Sequence, residues 1–152
     1  MIKKRATERR KPTSRRRVQY AALPFRANGK SNLEIMLVTS RGTRRWIIPK
    51  GWPKRGMPPY ETAAKEAFEE AGVLGKVSKR SIGSYPYEKI LKKGNTANCR
   101  VEVFALRVTR QRKRWPEKRE RSLKWYLPSE AVRFIREPHL RRIIRKFVKR
   151  RR

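Results

Sequence analysis

One stretch, GWPKRGMPPYETAAKEAFEEAGV at residues 51–73, constrains the chain more than any other: it reads as a loop, then a helix, then a stop. Gly51 is expected to open a turn, and Pro53, Gly56, Pro58 and Pro59 keep the next residues out of regular structure. Pro58 and Pro59 suit the first turn of a helix, where missing N–H groups cost little. Gly72 suits its C-terminal cap. At about 100° per residue, Tyr60, Ala64, Ala67, Phe68 and Ala71 fall on one apolar side. Thr62, Glu66, Glu69, Glu70 and Val73 fall on the other. Three carboxylates therefore crowd one helical stripe at spacings i, i+3 and i+4.

Like charges at i, i+4 repel by a few tenths of a kcal/mol. Several carboxylate oxygens on one face are also what a hard cation such as Mg²⁺ requires, and such an ion can bridge to substrate phosphates. The bland alternative is a solvated acidic face. The rest of the chain weighs against it. Lys plus Arg number 44 against 12 acids, for a net charge of +32, and every acid is a glutamate. Four of the twelve, Glu61, Glu66, Glu69 and Glu70, lie in this one segment.

The segment resembles the Nudix box, G-x5-E-x7-R-E-U-x-E-E-x-G-U, with U a bulky aliphatic. Gly51, Glu66, Glu69, Glu70, Gly72 and Val73 match. Met57 stands where the first Glu belongs, Lys65 where Arg belongs, and Ala67 in place of the aliphatic. Lys65 keeps the charge without the bidentate fork of Arg, and Glu69 is within its reach at i+4. The preceding RRWIIPKGWP (44–53) is similar to the strand that leads into the box in one branch, the diphosphoinositol polyphosphate phosphohydrolases and their bacterial relatives. Thr39–Ser40–Arg41, Gly75 and Lys76 after EEAGV, and Trp115 with Lys124 and Trp125 extend the likeness over residues 17–135. For Trp46 and Trp125 singly, packing is the expected role.

The resemblance implies an α+β Nudix fold, an α/β/α sandwich around a mixed, curled sheet. It implies hydrolysis of a diphosphate linkage with Mg²⁺ or Mn²⁺. Metal binding falls to Glu66 and Glu70, with Glu69 beside them and the backbone carbonyl of Lys50 or Gly51 completing the shell. Glu69, oriented by Lys65, is the expected base, a role Glu66 could exchange with it. Arg17, Thr39, Ser40, Arg41, Arg121 and Lys124 match substrate-binding positions, though each could equally be an ordinary surface charge. The implied substrate is a small, densely anionic diphosphate, a diphosphoinositol polyphosphate or a dinucleoside polyphosphate. Two alternatives stay open: removal of pyrophosphate from RNA 5′ ends, and a non-enzymatic RNA- or membrane-binding module on the same scaffold.

Length suits one domain with a real core. A basic flexible arm over 1–15 and a single domain over 16–152 are expected. Charged residues are 37% of the chain, against about 25% in ordinary domains. Such a charge binds nucleic acid and other polyanions without sequence preference. Its origin has two readings: a surface fitted to an anionic substrate, or a surface recast as cationic with the active-site acids spared. Lone Cys99 excludes an intramolecular disulfide and a cysteine-rich zinc site, and lone His139, expected on the surface of the last helix, argues against a histidine triad. No apolar run reaches membrane-span length and no hydrophobic signal core is visible, so a cytoplasmic setting is expected.

Strands are expected over 18–25 (ending near Pro24), 33–39, 45–48, within 76–90 with interruptions at Gly83 and Pro86, over 99–108 and over 122–126. Turns are expected at 29–32 and 92–95, and a basic loop over 110–121. Ser129 is expected to cap a helix running to Ile135, and Pro138 to start a terminal helix with Leu140, Ile143, Ile144 and Phe147 on one side.

Overall fold

The computed structural model describes residues 17–29, 32–91 and 94–151. The expected basic arm lies outside these residues, as do parts of the two expected turns at 29–32 and 92–95. Among the described residues eight strands form one mixed sheet: β1 (Arg17–Asn28), β2 (Asn32–Thr39), β3 (Trp46–Ile47), β4 (Lys50–Gly51), β5 (Val73–Val77), β6 (Gly83–Ile90), β7 (Thr96–Gln111) and β8 (Leu123–Tyr126). The helices are α1 (Pro59–Ala71), α2 (Pro128–Phe134) and α3 (Pro138–Arg150). The order β3-β2-β1-β7-β5 forms the spine, with β4 on β1, β6 on β7 and β8 on β2. The β1–β7 pair is parallel, running from Arg17↔Cys99 to Phe25↔Arg107, and the other pairs are antiparallel.

Alternation along the central strands builds a core on each face. On one face Ala21, Leu23, Phe25, Ile35, Leu37, Val101 and Val103 meet α2 and α3 through Ala131, Ile135, Leu140, Ile144 and Phe147. On the other, Ala22, Met36, Val38, Phe104 and Leu106 meet α1 through Ala63, Ala67 and Ala71. Each large aliphatic side chain buried this way stabilises the fold by roughly 1.5–3 kcal/mol. The sandwich is therefore α/β/α, as expected. Cys99 is buried and His139 exposed. Trp46 packs edge-on to Tyr126 with ring centroids 5.5 Å apart, and Trp125 packs against the α1-side core.

Several local expectations are corrected. β1 continues through Pro24 to Asn28. Ala22 N–H, two residues earlier, points to the β4/β2 edge, donating to Pro49 O at 3.0 Å. Pro24 therefore faces that edge in the gap between the β4 pairing at Tyr20–Ala21 and the β2 pairing that begins at Phe25, where no N–H is needed. Pro86 likewise sits inside β6, which among the described residues pairs with β7 alone and is an edge. Gly51 belongs to β4 rather than to a turn. Helix α2 begins at Pro128, and Glu130 rather than Ser129 serves its start, accepting from Leu127 N–H at 3.0 Å. At the shift in register between Leu74 and Gly75, a Cβ on Gly75 would overlap the Arg107 carbonyl, so the close approach of β5 to β7 needs glycine there.

Candidate active site

Helix α1 ends where expected. Gly72 adopts φ 71°, and its N–H donates to Phe68 O at 2.8 Å. The face it buries is only partly the expected one, since Ala67 and Ala71 are buried as expected. Thr62, Ala63, Glu66, Ala67, Glu70 and Ala71 are buried, while Tyr60, Ala64 and Phe68 are only half-buried. Alanines at 63, 67 and 71 let the helix lie close to the sheet. That closeness carries Glu66 and Glu70 inward beside β4 instead of out into solvent.

Gly51 makes room for the first of them. A Cβ at Gly51 would overlap the Glu66 carboxylate, so that carboxylate lies directly against the β4 backbone. Lys54 Nζ donates to Glu66 Oε2 at 2.9 Å, and this hydrogen bond raises the Lys54 pKa. Glu69 is half-buried, with Lys65 Nζ 3.4 Å from its Oε2 at i, i+4. Glu70 lies deepest. Its Oε2 is 3.7 Å from Arg121 Nη2, and its Oε1 is buried with no hydrogen-bond partner. Burial pushes the Glu70 carboxyl up to about 8, against the pull of Arg121 and Lys50. Burial likewise brings the Lys50 ammonium down to about 8, opposed by Glu70. Lys50 is buried with its Nζ 4.0 Å above the Tyr87 ring.

A cavity of about 620 Å³ opens over this floor. Ser40, Arg41, Thr43 and Arg45 line one side, Pro86 to Ile90 another, and Arg136 with Glu137 a third, above Lys50, Glu70 and Arg121. Six cations therefore face three carboxylates, Glu70, Glu88 and Glu137. The turn at 40–45 is held by Ser40. Its N–H donates to Arg45 O at 2.9 Å, and its hydroxyl accepts from Arg45 N–H at 3.1 Å and lies 2.8 Å from the Thr43 hydroxyl. Arg41 reaches Glu120 at 2.6 Å and Arg45 reaches Glu137 at 2.7 Å.

Arg121 ties the parts together. Its Nη1 donates to Thr39 O at 3.0 Å and its Nε to Glu117 Oε1 at 2.7 Å. Thr39 itself is buried, its hydroxyl accepting from Ser122 N–H at 2.9 Å. Residues 112–122 wrap the end of α1: Arg112 N–H donates to Gly72 O at 2.8 Å, Glu117 N–H to Glu69 O at 2.9 Å and Trp115 Nε1 to Glu70 O at 3.2 Å. Carbonyls that a helix end leaves without partners are thereby satisfied. The Trp115 ring also fills the space a Cβ on Gly72 would need.

Of the residues singled out in the sequence, Ser40, Arg41, Lys50, Glu70 and Arg121 meet in the cavity. Glu66 and Gly51 adjoin each other on its α1 side. Arg17 stands at the start of β1, its guanidinium 5.8 Å from the Trp52 ring, and Lys124 lies 5.2 Å from the Tyr126 ring on β8; neither lines the cavity. Among the described residues no three acidic, histidine or cysteine side chains are gathered closely enough to hold an ion. Sequence reasoning misses Arg45, Lys54, Tyr87, Lys89, Arg136 and Glu137. Only Lys54, a cation inside the box loop, carries a local signal.

The NUDIX domain family description matches residues 15–147. Nudix hydrolase 12, mitochondrial, of Arabidopsis thaliana is 29% identical over 125 residues, covering 78% of this chain and 60% of that relative. Diphosphoinositol polyphosphate phosphohydrolase 3-beta of Bos taurus is 31% identical over 118 residues, covering 76% of this chain and 66% of that protein. The chain thus spans about 60% of the length of the first of these relatives. Among solved structures, a Caenorhabditis elegans Ap4A hydrolase binary complex superposes with a TM-score of 0.65 at 18% identity, over 86% of this chain and 94% of that one. The NUDIX domain of Shewanella oneidensis NrtR, complexed with ADP ribose, gives 0.64 at 13% identity, over 97% and 99%. At such identities these two likenesses bear on the fold alone. With the box helix, its glutamates and a domain match over most of its length, the chain belongs to the Nudix hydrolase superfamily.

Proposed function

We propose that the chain hydrolyses a phosphoanhydride bond in a small, densely anionic substrate, with a diphosphoinositol polyphosphate or a dinucleoside polyphosphate as the leading classes. The observation that carries this reading is Glu70, a buried carboxylate with one unpartnered oxygen on the floor of a cavity lined by six cations. The cations suit phosphate oxygens, and the unpartnered oxygen leaves a lone pair for a hard cation. The donors of Glu66, Glu69, Glu70 and a carbonyl of Lys50 or Gly51 are all oxygen, the type that suits Mg²⁺ or Mn²⁺, although the three carboxylates are not drawn together around one point among the described residues. When bound, that ion supplies neutralisation of charge on the diphosphate.

The chain's own residues do the rest. Glu69 accepts a proton from the attacking water, held in orientation by Lys65 at 3.4 Å. Glu66, now bonded to Lys54, would take the same role on release from it. Water oxygen bonds to phosphorus, the bridging P–O bond breaks, and the leaving phosphate takes the electron pair. Arg41, Arg121 and Ser40 hold or frame the phosphates, with Thr39 positioning Arg121 through its carbonyl; Arg17 and Lys124 would serve only substrates that extend beyond the cavity. Among the described residues no helix is long and apolar enough to cross a membrane, and a cytoplasmic setting belongs to the proposal.

A phosphate-release screen with Mg²⁺ over nucleotide sugars, dinucleoside polyphosphates, inositol pyrophosphates and 5′-triphosphate RNA tests the reading. Turnover of an inositol pyrophosphate or dinucleoside polyphosphate is expected, and no release from any of the four would overturn it. Replacing Lys65 by Ala is expected to lower kcat by roughly tenfold with KM little changed, the pattern of an interaction made in the transition state. A change confined to KM would make Lys65 a phosphate contact instead.

Exposed cations are not confined to the cavity. They also stud β5, β7, the 112–122 loop and both C-terminal helices. A coat of this kind supports sequence-independent, salt-sensitive binding of polyanions alongside the hydrolytic reading. It is also what a surface recast as cationic would show.

A further inference from the structure

The terminal helix α3 divides its sequence cleanly. Leu140, Ile143, Ile144 and Phe147 are buried in the core. Arg142, Arg145, Lys146 and Lys149 are exposed and fall at i, i+3, i+4 and i+7, one continuous stripe on the opposite side. The helix contains no acidic residue. Among the described residues none of the four has an ion-pair partner. Neighbouring like charges at this spacing oppose helix formation, and the helix persists through its buried apolar face. Attraction to the negative end of the helix dipole accounts for Lys149 but not for Arg142, which lies near the positive end.

Some cations elsewhere are answered locally, while others, Lys76, Arg80, Arg107 and Arg110 among them, have no ion-pair partner among the described residues but do not line up along one helix face. In the 112–122 loop, Glu117 and Glu120 engage Arg121 and Arg41, and Lys118 donates to Lys113 O at 2.5 Å. The α3 stripe is rigid, unanswered and about 10 Å long from Arg142 to Lys149 at about 1.5 Å per residue. No aromatic side chain interrupts it, since Phe147 is in the core. Stacking of unpaired bases therefore has no platform. With its apolar residues committed to the core, the helix also has none to bury in a lipid interface. What fits a rigid row of cations without stacking or insertion is the regular phosphate array of a duplex.

We propose that the outer face of α3 is a docking surface for the phosphodiester backbone of double-stranded nucleic acid, read without regard to sequence. The surface is separate from the proposed hydrolytic cavity and does not depend on that activity.

The test uses two full-length variants of equal charge. One carries Arg142→Gln, Arg145→Gln, Lys146→Gln and Lys149→Gln. The control carries Lys76→Gln, Arg80→Gln, Arg107→Gln and Arg110→Gln, all exposed around the β5–β7 edge. Fluorescence anisotropy reads affinity for mixed-sequence duplex RNA and duplex DNA across a salt series, with single-stranded RNA and phosphatidylserine vesicles as further arms. The α3 variant is expected to bind both duplexes roughly 10- to 100-fold more weakly at about 0.1 M salt, with a log–log salt slope reduced by up to about 3.6, since each lost phosphate contact removes about 0.9. The control is expected to lose much less. Both variants should keep the melting temperature of the parent. Equal losses in the two variants would overturn the proposal, as would a loss on vesicles with none on duplexes, or a larger loss on single strands than on duplexes. Small-diphosphate turnover, measured in parallel, fails or survives separately from this result.

Discussion

A Glu66→Gln/Glu69→Gln double variant is expected to lose at least about 10³-fold in hydrolytic rate, because it removes both candidate bases and general-base catalysis alone contributes about 10²–10⁴. The substitutions keep shape and hydrogen-bonding capacity. Glu66 is buried beside Gly51 and bonded to Lys54, so the amide can still accept from Lys54 Nζ, and the fold should survive. Glu69 is half-exposed and its pair with Lys65 is of the weak, screened kind. Circular dichroism and thermal melting would confirm the fold, and initial rates at saturating substrate would read the chemistry. Undiminished hydrolysis by a folded double variant would remove both glutamates from the reaction.

The largest loss of stability is expected from Arg121→Met. The Arg121 side chain is 8% exposed and that of Glu70 4%, so the pair is screened little by solvent. Removing one partner of a buried pair costs about 3–5 kcal/mol where the other group stays charged and is left without compensation. Arg121 also holds Glu117 and the Thr39 carbonyl, so the 112–122 loop and the end of β2 lose a shared tie. The deficit should depend on pH in a definite direction. Burial already pushes the Glu70 carboxyl up to about 8, and Arg121 is the foremost influence pulling it down. A carboxyl raised in the folded state favours folding below the ordinary range near 4.5, and that advantage shrinks as pH rises toward the folded value. Without Arg121 the folded value rises further, so the variant's deficit against the parent should widen as pH passes about 8, where the parent ionises Glu70 and the variant still holds it protonated. Urea denaturation of both proteins at about pH 7 and about pH 9, on either side of that folded value, would show it. Equal deficits at the two values would mean that packing, and not charge, is what Arg121 supplies.

Much of this is visible in the residues. Pro58, Pro59 and Gly72 bound α1 to within a residue, and the alternation in 99–108 locates the core of β7. The glutamates are visible as a cluster, but their direction is not. Summing apolar side chains around α1 favours Tyr60, Ala64, Ala67, Phe68 and Ala71, of which only Ala67 and Ala71 are fully buried. The helix instead turns its smallest residues to the sheet, and Lys50 and Arg121 make burial of a carboxylate there tolerable. Neither cation is local to the helix. The two prolines in β1 and β6 read as interruptions, because a single strand does not reveal which of its edges lacks a partner. The cavity is the least legible part. Arg45 meets Glu137 across 92 positions and Arg41 meets Glu120 across 79. In a chain this rich in Arg and Lys, nothing in composition marks those cations out from the others.

The way residues 112–122 grip the end of α1 has a consequence for how the molecule breathes. Helix termini ordinarily fray, and loops open more readily than the elements they join. Here an aperiodic segment occupies the very carbonyls from which fraying would start, and the helix end in turn fixes the segment. The two can open only together, as one cooperative unit. Thermal excursions that would otherwise scatter the box glutamates are thereby coupled to a larger and rarer event, and the order of the site is inherited from a stretch that has no regular secondary structure of its own.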